Sequence, residues 1–134
     1  MHGPVVSRMD PLLVGVSARM MSVASRIPAI ARVQRTTLIC GPTGSGKEVV
    51  ARALHDASLR KDRAFIVVHC AALPDNLVEA ELFGHSRGAF TGAVQKRGGL
   101  VRCASQGTLF LDEIDSLTLG AQAKLLRFLE SGEY

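Results

Sequence analysis

Two short stretches carry residue types suited to phosphate chemistry, Gly41–Glu48 (GPTGSGKE) and Gly107–Glu113 (GTLFLDE). In the first, Gly41, Gly44 and Gly46 allow successive backbone N–H groups to turn inward on a phosphate, and a helix beginning there adds its positive end. Lys47 supplies a point charge for the β- and γ-phosphates of a nucleotide. The whole loop, with Pro42, Thr43 and Ser45 inside it and Glu48 and Val49 just after, is the candidate site for ATP or ADP. The other reading of the stretch is a plain glycine-rich connector. Position 48 is glutamate where the general motif sets a Ser or Thr hydroxyl on Mg2+. A carboxylate can reach the ion through water, so Glu48 is a candidate metal residue.

The second stretch supplies what such a loop lacks. Asp112 closes an apolar run, at the strand end where ligands of open α/β sheets gather, and its carboxylate can hold Mg2+ through the ion's water shell. Glu113 can polarise a water for in-line attack on a γ-phosphate. An apolar run ending in Asp-Glu is weak evidence alone. Downstream of a phosphate loop it points to hydrolysis, with Lys47, Asp112 and Glu113 as the catalytic candidates. Asp115 reads as a helix-approach carboxylate.

These side chains need a sheet to position them, and the chain alternates apolar runs with helical patterns, as parallel sheets covered by helices do. Ser17 can cap a helix carrying Met20, Val23, Ala24 and Ile27 on one side, with Pro28 expected to kink or restart it. Thr36–Cys40 (TTLIC) reads as a buried strand running into the glycine loop. Gly46 to about Ser58 is the helix after it, with Val50, Leu54 and Ala57 in phase. Ala64–Val68 reads as a second strand, apolar on both faces. Pro74 can open a short helix with Leu77, Val78 and Leu82 that Gly84 ends. Thr108–Leu111 is a third strand. A last helix, Leu119 to about Glu130, carries Leu125, Leu126 and Leu129 and stops at Gly132. The expected fold class is α/β, a P-loop three-layer αβα sandwich around a parallel sheet.

His85 to Gly107 is the longest stretch without a regular pattern, and spans of that length are usually functional or disordered. Its early part, GHSRGAFTGAV, sets one of only six aromatics (five Phe and one Tyr) among small residues. Phe90 on glycine mounts suits a contact element whose position shifts at little backbone cost. The bland alternative tucks Phe90 back over the domain. Arg87, Lys96 and Arg97 make the span basic, suited to an acidic patch or DNA phosphates, or simply to solvent.

The chain has 134 residues, 47% hydrophobic and 21% charged, which suits one domain or a piece of one with a real core. No run approaches the ~18 apolar residues of a membrane span. Residues 1–12 lack a signal pattern and read as a flexible leader. Cys40, Cys70 and Cys103 are far apart and odd in number, which fits neither a zinc site nor a disulfide framework, so the cytoplasm is the expected compartment. The net charge of +4 is mild, compatible with phosphate ligands or a nearby nucleic acid, or with a plain solvated surface.

With Gly88–Ala93 (GAFTGA) added to the two phosphate motifs, the chain resembles the central AAA+ ATPase domain of sigma-54-dependent transcriptional activators. The likeness runs from about Leu13 to Tyr134 through GPTGSGKE, whose glutamate is that family's habit, CAALPDNLVEAELFGH, GAFTGA and GTLFLDEI. The resemblance implies a Mg-dependent ATPase that couples hydrolysis to remodelling of the sigma-54 RNA polymerase complex. Gly88, Ala89, Phe90, Thr91, Gly92 and Ala93 would touch sigma-54. It also implies a hexameric ring in the parent protein, with the fragment a monomer or weak dimer and inactive, DNA contacts only through an absent domain, and no membrane contact. Residues 13–134 would then be a partial domain. The sensor strand, arginine fingers, helical lid and DNA-binding domain would lie beyond Tyr134. Because the sensor strand sits between the strands leading to Gly41 and Asp112, the expected fold is a truncated AAA+ α/β subdomain.

The sequence departs from the family at informative places. His69 stands where relatives usually have an asparagine that restrains the hydrolytic glutamate, so the resemblance gives His69 a catalytic role facing Glu113. The plainer reading is a strand-end histidine satisfied by backbone or water. Arg102 replaces a glutamate and Val101 a phenylalanine, which alters how the long span is braced. These changes keep open a second function, a non-hydrolysing nucleotide-binding interaction module. A small-molecule kinase or another P-loop enzyme has no use for a Phe-tipped span facing a partner.

Overall fold

A computed structural model describes residues 17–85 and 97–133. The chain divides after Asp62 into two compact units.

In the first unit, helix α1 (Ala18–Ala31) begins where Ser17 Oγ accepts the Met20 amide at 3.2 Å. That bond satisfies one of the donors that a helix start leaves without a partner. Met20, Ala24 and Ile27 recur at helical spacing and meet Val50, Ala53 and Leu54 of α2 (Lys47–Asp56). Val23, expected on the same face, is exposed, since it lies about 100° around the helix from Ala24. Nor does Pro28 restart the helix. It sits in the last turn, where its missing N–H removes a single bond, and the helix continues to Ala31.

Residues 36–40 form no strand. A strand exists only where a neighbour accepts and donates its backbone hydrogen bonds, and none pairs with this stretch among the described residues. Leu38, expected in the core, is 73% exposed.

The second unit is built on two parallel strands, β1 (Phe65–His69) and β4 (Thr108–Asp112). Ile66, Val68, Leu109 and Leu111 pack into its core with Val78, Leu82 and Phe83 from α3 (Val78–Phe83). Full burial of a side chain such as Leu82 favours the fold by about 1.5–3 kcal/mol. Gly107 admits β4 to β1: an added Cβ would strike the Ala64 carbonyl, the group that accepts the Thr108 amide at 2.8 Å. α3 starts at Val78 and not at Pro74. Pro74–Leu77 is a turn in which the Leu77 and Val78 amides both reach the Pro74 carbonyl, at 2.9 and 3.0 Å.

The span from His85 to Gly107 holds more order than its sequence suggests. Strands β2 (Gly84–His85) and β3 (Arg97–Gly98) pair antiparallel, Gly84 opposite Gly98 and His85 opposite Arg97. Helix α4 (Leu100–Cys103) follows at once and buries Val101. His85 and Arg97, on either side of residues 86–96, thus stand opposite each other. Helix α5 (Leu119–Ser131) opens with Thr118 Oγ1 accepting the Ala121 amide at 3.3 Å and closes on Gly132 at φ 75°. Its inner stripe is Ala121, Leu125 and Phe128. Leu126 and Leu129, read from sequence as core, are 56% and 47% exposed because each sits one residue past that stripe.

Candidate functional site

The candidate site residues fall in both units. In the first, Gly44 and Gly46 adopt φ of 77° and 87°, left-handed values that glycine takes without steric cost. Gly41 has its own constraint, since an added Cβ would lie 2.7 Å from Ser45 Oγ. The Ser45 amide donates to the Pro42 carbonyl at 3.2 Å, which closes the turn. Gly46 is the N-cap of α2 and offers no side chain. The first intrahelical bond, from the Val50 amide to the Gly46 carbonyl, is 3.1 Å long. The amides of Lys47, Glu48 and Val49 precede it, so they point out of the helix start, the arrangement that receives an anion. Glu48 lies in that first turn.

Lys47 does not extend freely into solvent. Its Nζ donates to the carbonyl oxygens of Gly41 (3.0 Å) and Pro42 (2.9 Å), so the loop folds over its own cation. The ammonium is thereby held against the backbone that phosphate oxygens would meet. A cradle of left-handed glycines, helix-start amides and a fixed lysine fits a nucleotide's phosphates.

In the second unit, parallel pairing carries His69 and Asp112 to the same level, at the C-terminal ends of β1 and β4. His69 Nδ1 lies 3.6 Å from Asp112 Oδ2. Asp112 Oδ1 accepts the Glu113 amide at 3.1 Å. The sequence reading set His69 against Glu113; the structure shows its register partner Asp112 beside it. No hydrogen bond or ion pair joins His69 to Glu113. The backbone leaves the sheet at Glu113, which takes φ 54° and ψ 50° as the cap of a 3-10 turn, Ile114–Ser116. A left-handed non-glycine residue stores strain of about 1–2 kcal/mol, and such strain collects at functional positions.

Cys70 follows His69 and is buried. Burial, and then the charge of Asp112, push its thiol above the ordinary range, with Glu113 and Asp115 adding smaller pushes. It is a proton-holding core thiol beside a carboxylate cluster. Among the described residues no three His, Cys, Asp or Glu side chains gather as a ready metal site. Gly88, Ala89, Phe90, Thr91, Gly92 and Ala93 lie outside the described residues. One residue that sequence reasoning passed over is Gly99. Buried at the start of α4, it allows that backbone to touch Leu82, Phe83 and Gly84. The doublet Gly98-Gly99 after a basic pair was the signal for it.

Among the described residues no helix is long and apolar enough to cross a membrane. The sigma-54 interaction domain matches residues 13–134. The C4-dicarboxylate transport transcriptional regulatory protein DctD of Pseudomonas aeruginosa is 51% identical over 118 residues, covering 88% of this chain and 26% of that protein. The anaerobic nitric oxide reductase transcription regulator NorR of Citrobacter koseri is 48% identical over 121 residues, covering 90% of this chain and 24% of its own. The chain therefore spans about a quarter of the length of the curated relatives it matches. A crystal structure of NtrX from Brucella abortus in complex with ATP superposes with a TM-score of 0.76 at 34% identity, over 87% of this chain and 24% of that one. The fold is the α/β P-loop class with a parallel sheet, as the sequence pattern implied. On the extent of that match and these identities, the chain belongs to the sigma-54 interaction domain family of transcriptional regulators.

Proposed function

We propose that this chain is the ATP-binding portion of a sigma-54-dependent transcriptional regulator. Its parent protein couples ATP hydrolysis to remodelling of the sigma-54 RNA polymerase complex. The observation that carries the reading is the left-handed pair Gly44 and Gly46, which starts α2 with Lys47 folded over the loop. Gly41–Val49 bind the phosphates, and Lys47 leaves its two carbonyls to meet the β- and γ-oxygens. Asp112 and Glu48 would hold Mg2+, which would supply positive charge against the phosphates. Glu113 orients a water and takes its proton. Gly88–Ala93 form the contact with sigma-54. The regions 1–12 and 13–134 are leader and partial domain. The unpaired, exposed stretch at 36–40 supports a further strand beside it in the complete domain. The complete domain works as a hexameric ring, in which a neighbour's arginine finger contributes ~10³ or more in rate, so the 134-residue chain alone turns over negligibly.

The test is nucleotide affinity of the chain against Lys47→Ala. Losing one charge-assisted contact of about 1.5–3 kcal/mol lowers affinity roughly 10- to 100-fold. Equal affinities in the two forms refute the phosphate-loop assignment. In the parent protein, Phe90→Ala keeps nucleotide binding and melting temperature and loses sigma-54 binding. A large fall in melting temperature means that Phe90 belongs to the core. Normal melting with normal sigma-54 binding means that the hexapeptide is no contact element.

The second reading, a non-hydrolysing nucleotide-binding interaction module, draws support from His69 lying on Asp112 and not on Glu113. ATP turnover measured in the parent protein separates the two.

A further inference from the structure

We propose that Glu79 and Lys124 are positioning residues for the partner contact at Gly88–Ala93. They join α3 to α5 in a polar clasp that sets where the root of that segment stands. The inference rests on the reading of Gly88–Ala93 as the contact and names the residues that aim it.

Two pairs with helical spacing face each other, Glu79 and Phe83 on α3 and Gly120 and Lys124 on α5. Glu79 Oε2 lies 3.1 Å from Lys124 Nζ, and the same ammonium stands over the Phe83 ring, 5.9 Å from its centre. A cation so placed is attracted by the face of the ring. Glu79 Oε1 fills the space that a side chain would take at position 120, where an added Cβ would strike it. Gly120 lies in the first turn of α5, after the cap Thr118, so the carboxylate also sits at the positive end of that helix. A lysine and a glutamate pairing on a solvated surface need no glycine opposite them. The missing side chain at position 120 singles this pair out.

Apolar packing alone does not fix how the two helices are turned. Val78, Leu82, Phe83 and Ala121 share one core cluster, but burial of that kind has no direction. The charged contact has one, and it acts at a sensitive place. Phe83 is the last residue of α3, and Gly84 beside it opens β2 opposite Gly98 of β3. On the other side, α5 follows Asp112 and Glu113 through the 3-10 turn Ile114–Ser116 and the buried Leu117. The end of β4 and the start of β2 are thus linked by way of α5, within one compact unit.

The experiment compares the chain with Gly120→Ala by amide hydrogen exchange and thermal melting. Alanine suits a helix better than glycine, and what it displaces is the far end of a flexible side chain. The melting midpoint should therefore hold or rise. Exchange at the β2 and β3 amides should nevertheless quicken by about two- to fivefold, the range of a half-exposed ion pair, with β1 and β4 unchanged. Unchanged exchange at β2 and β3 overturns the proposal, as does a lower midpoint with both sheets exchanging faster. Glu79→Gln, Lys124→Gln and the double variant complete the test: the double should exchange no faster than the faster single, and additive effects overturn the clasp. In the parent protein, Gly120→Ala should weaken sigma-54 binding about twofold or more at unchanged nucleotide affinity. Binding lost in Phe90→Ala but kept in Gly120→Ala overturns the clasp alone. Normal binding in both variants overturns the contact reading beneath it as well.

Discussion

Gly99 is packed backbone to backbone on Leu82: a Cβ added at Gly99 would overlap the Leu82 carbonyl oxygen and the Gly84 amide nitrogen. Leu82 is among the most deeply buried side chains of the second unit, and Gly84 opens the strand that pairs with Gly98. One absent methyl group therefore ties the root of the 86–96 segment to α3. Because the clash is with main chain and not with a flexible side chain, Gly99→Ala should cost about 1–3 kcal/mol. Thermal melting of the variant checks this, and an unchanged midpoint means that the two backbones are not in contact.

Glu113 occupies a left-handed conformation that its side chain disfavours. Glu113→Gly relieves that strain and should leave stability unchanged or raise it by up to about 1 kcal/mol, after the added freedom of the unfolded glycine is subtracted. Glu113→Val should fall below wild type by about 1–2 kcal/mol. Both remove the carboxylate, so if Glu113 has the role proposed for it, any ATP turnover of the parent protein is lost in each. A glycine variant less stable than the valine variant contradicts the backbone geometry.

Leu125 and Leu126 are adjacent in sequence and differ in setting. Leu125 packs on the core cluster, whereas Leu126 is 56% exposed. Leu125→Ala should lose about 2–3 kcal/mol, within the range for core leucines. Leu126→Ala should stay within about 0.5 kcal/mol of wild type. Chemical denaturation of the two variants reads the difference directly, and equal losses would reverse the assignment of α5's inner face.

Cys70 is buried with its thiol pushed up, while Cys40 and Cys103 are exposed. Alkylation at neutral pH should modify the two exposed cysteines quickly and Cys70 only after denaturation, as mass spectrometry of the peptides will show. Stability follows the same shift. Below the ordinary thiol value of 9.0 both states hold the proton and Cys70 adds no pH dependence. As pH rises past that value the unfolded chain releases its proton first, so the unfolded state gains and stability falls. Fast labelling of Cys70 in the folded chain rules this out.

The features legible from sequence are those decided within one turn of chain. Ser17 and Gly132 were readable as helix ends because a cap depends on one side chain or one positive φ. The turn of the glycine loop was readable for the same reason, since the positive φ of Gly44 and Gly46 is a matter of local backbone geometry. Continuous apolar runs likewise pointed to β1 and β4, and the polar end of the second run marked Asp112 and Glu113.

What remained hidden depends on partners distant in sequence. The stretch 36–40 has a strand's composition, yet strand formation requires a neighbour that composition cannot supply. Helical periodicity marked α5 as apolar but did not tell Leu125 from Leu126, because that choice is made by where Val78, Leu82 and Val101 stand. The neighbour of His69 is likewise set by parallel register, which brings Asp112 level with it and carries Glu113 past. Gly99 is the sharpest case. The doublet Gly98-Gly99 marks a place where the backbone is free, but only the arrival of Leu82 and Gly84 against Gly99 leaves no room for a side chain.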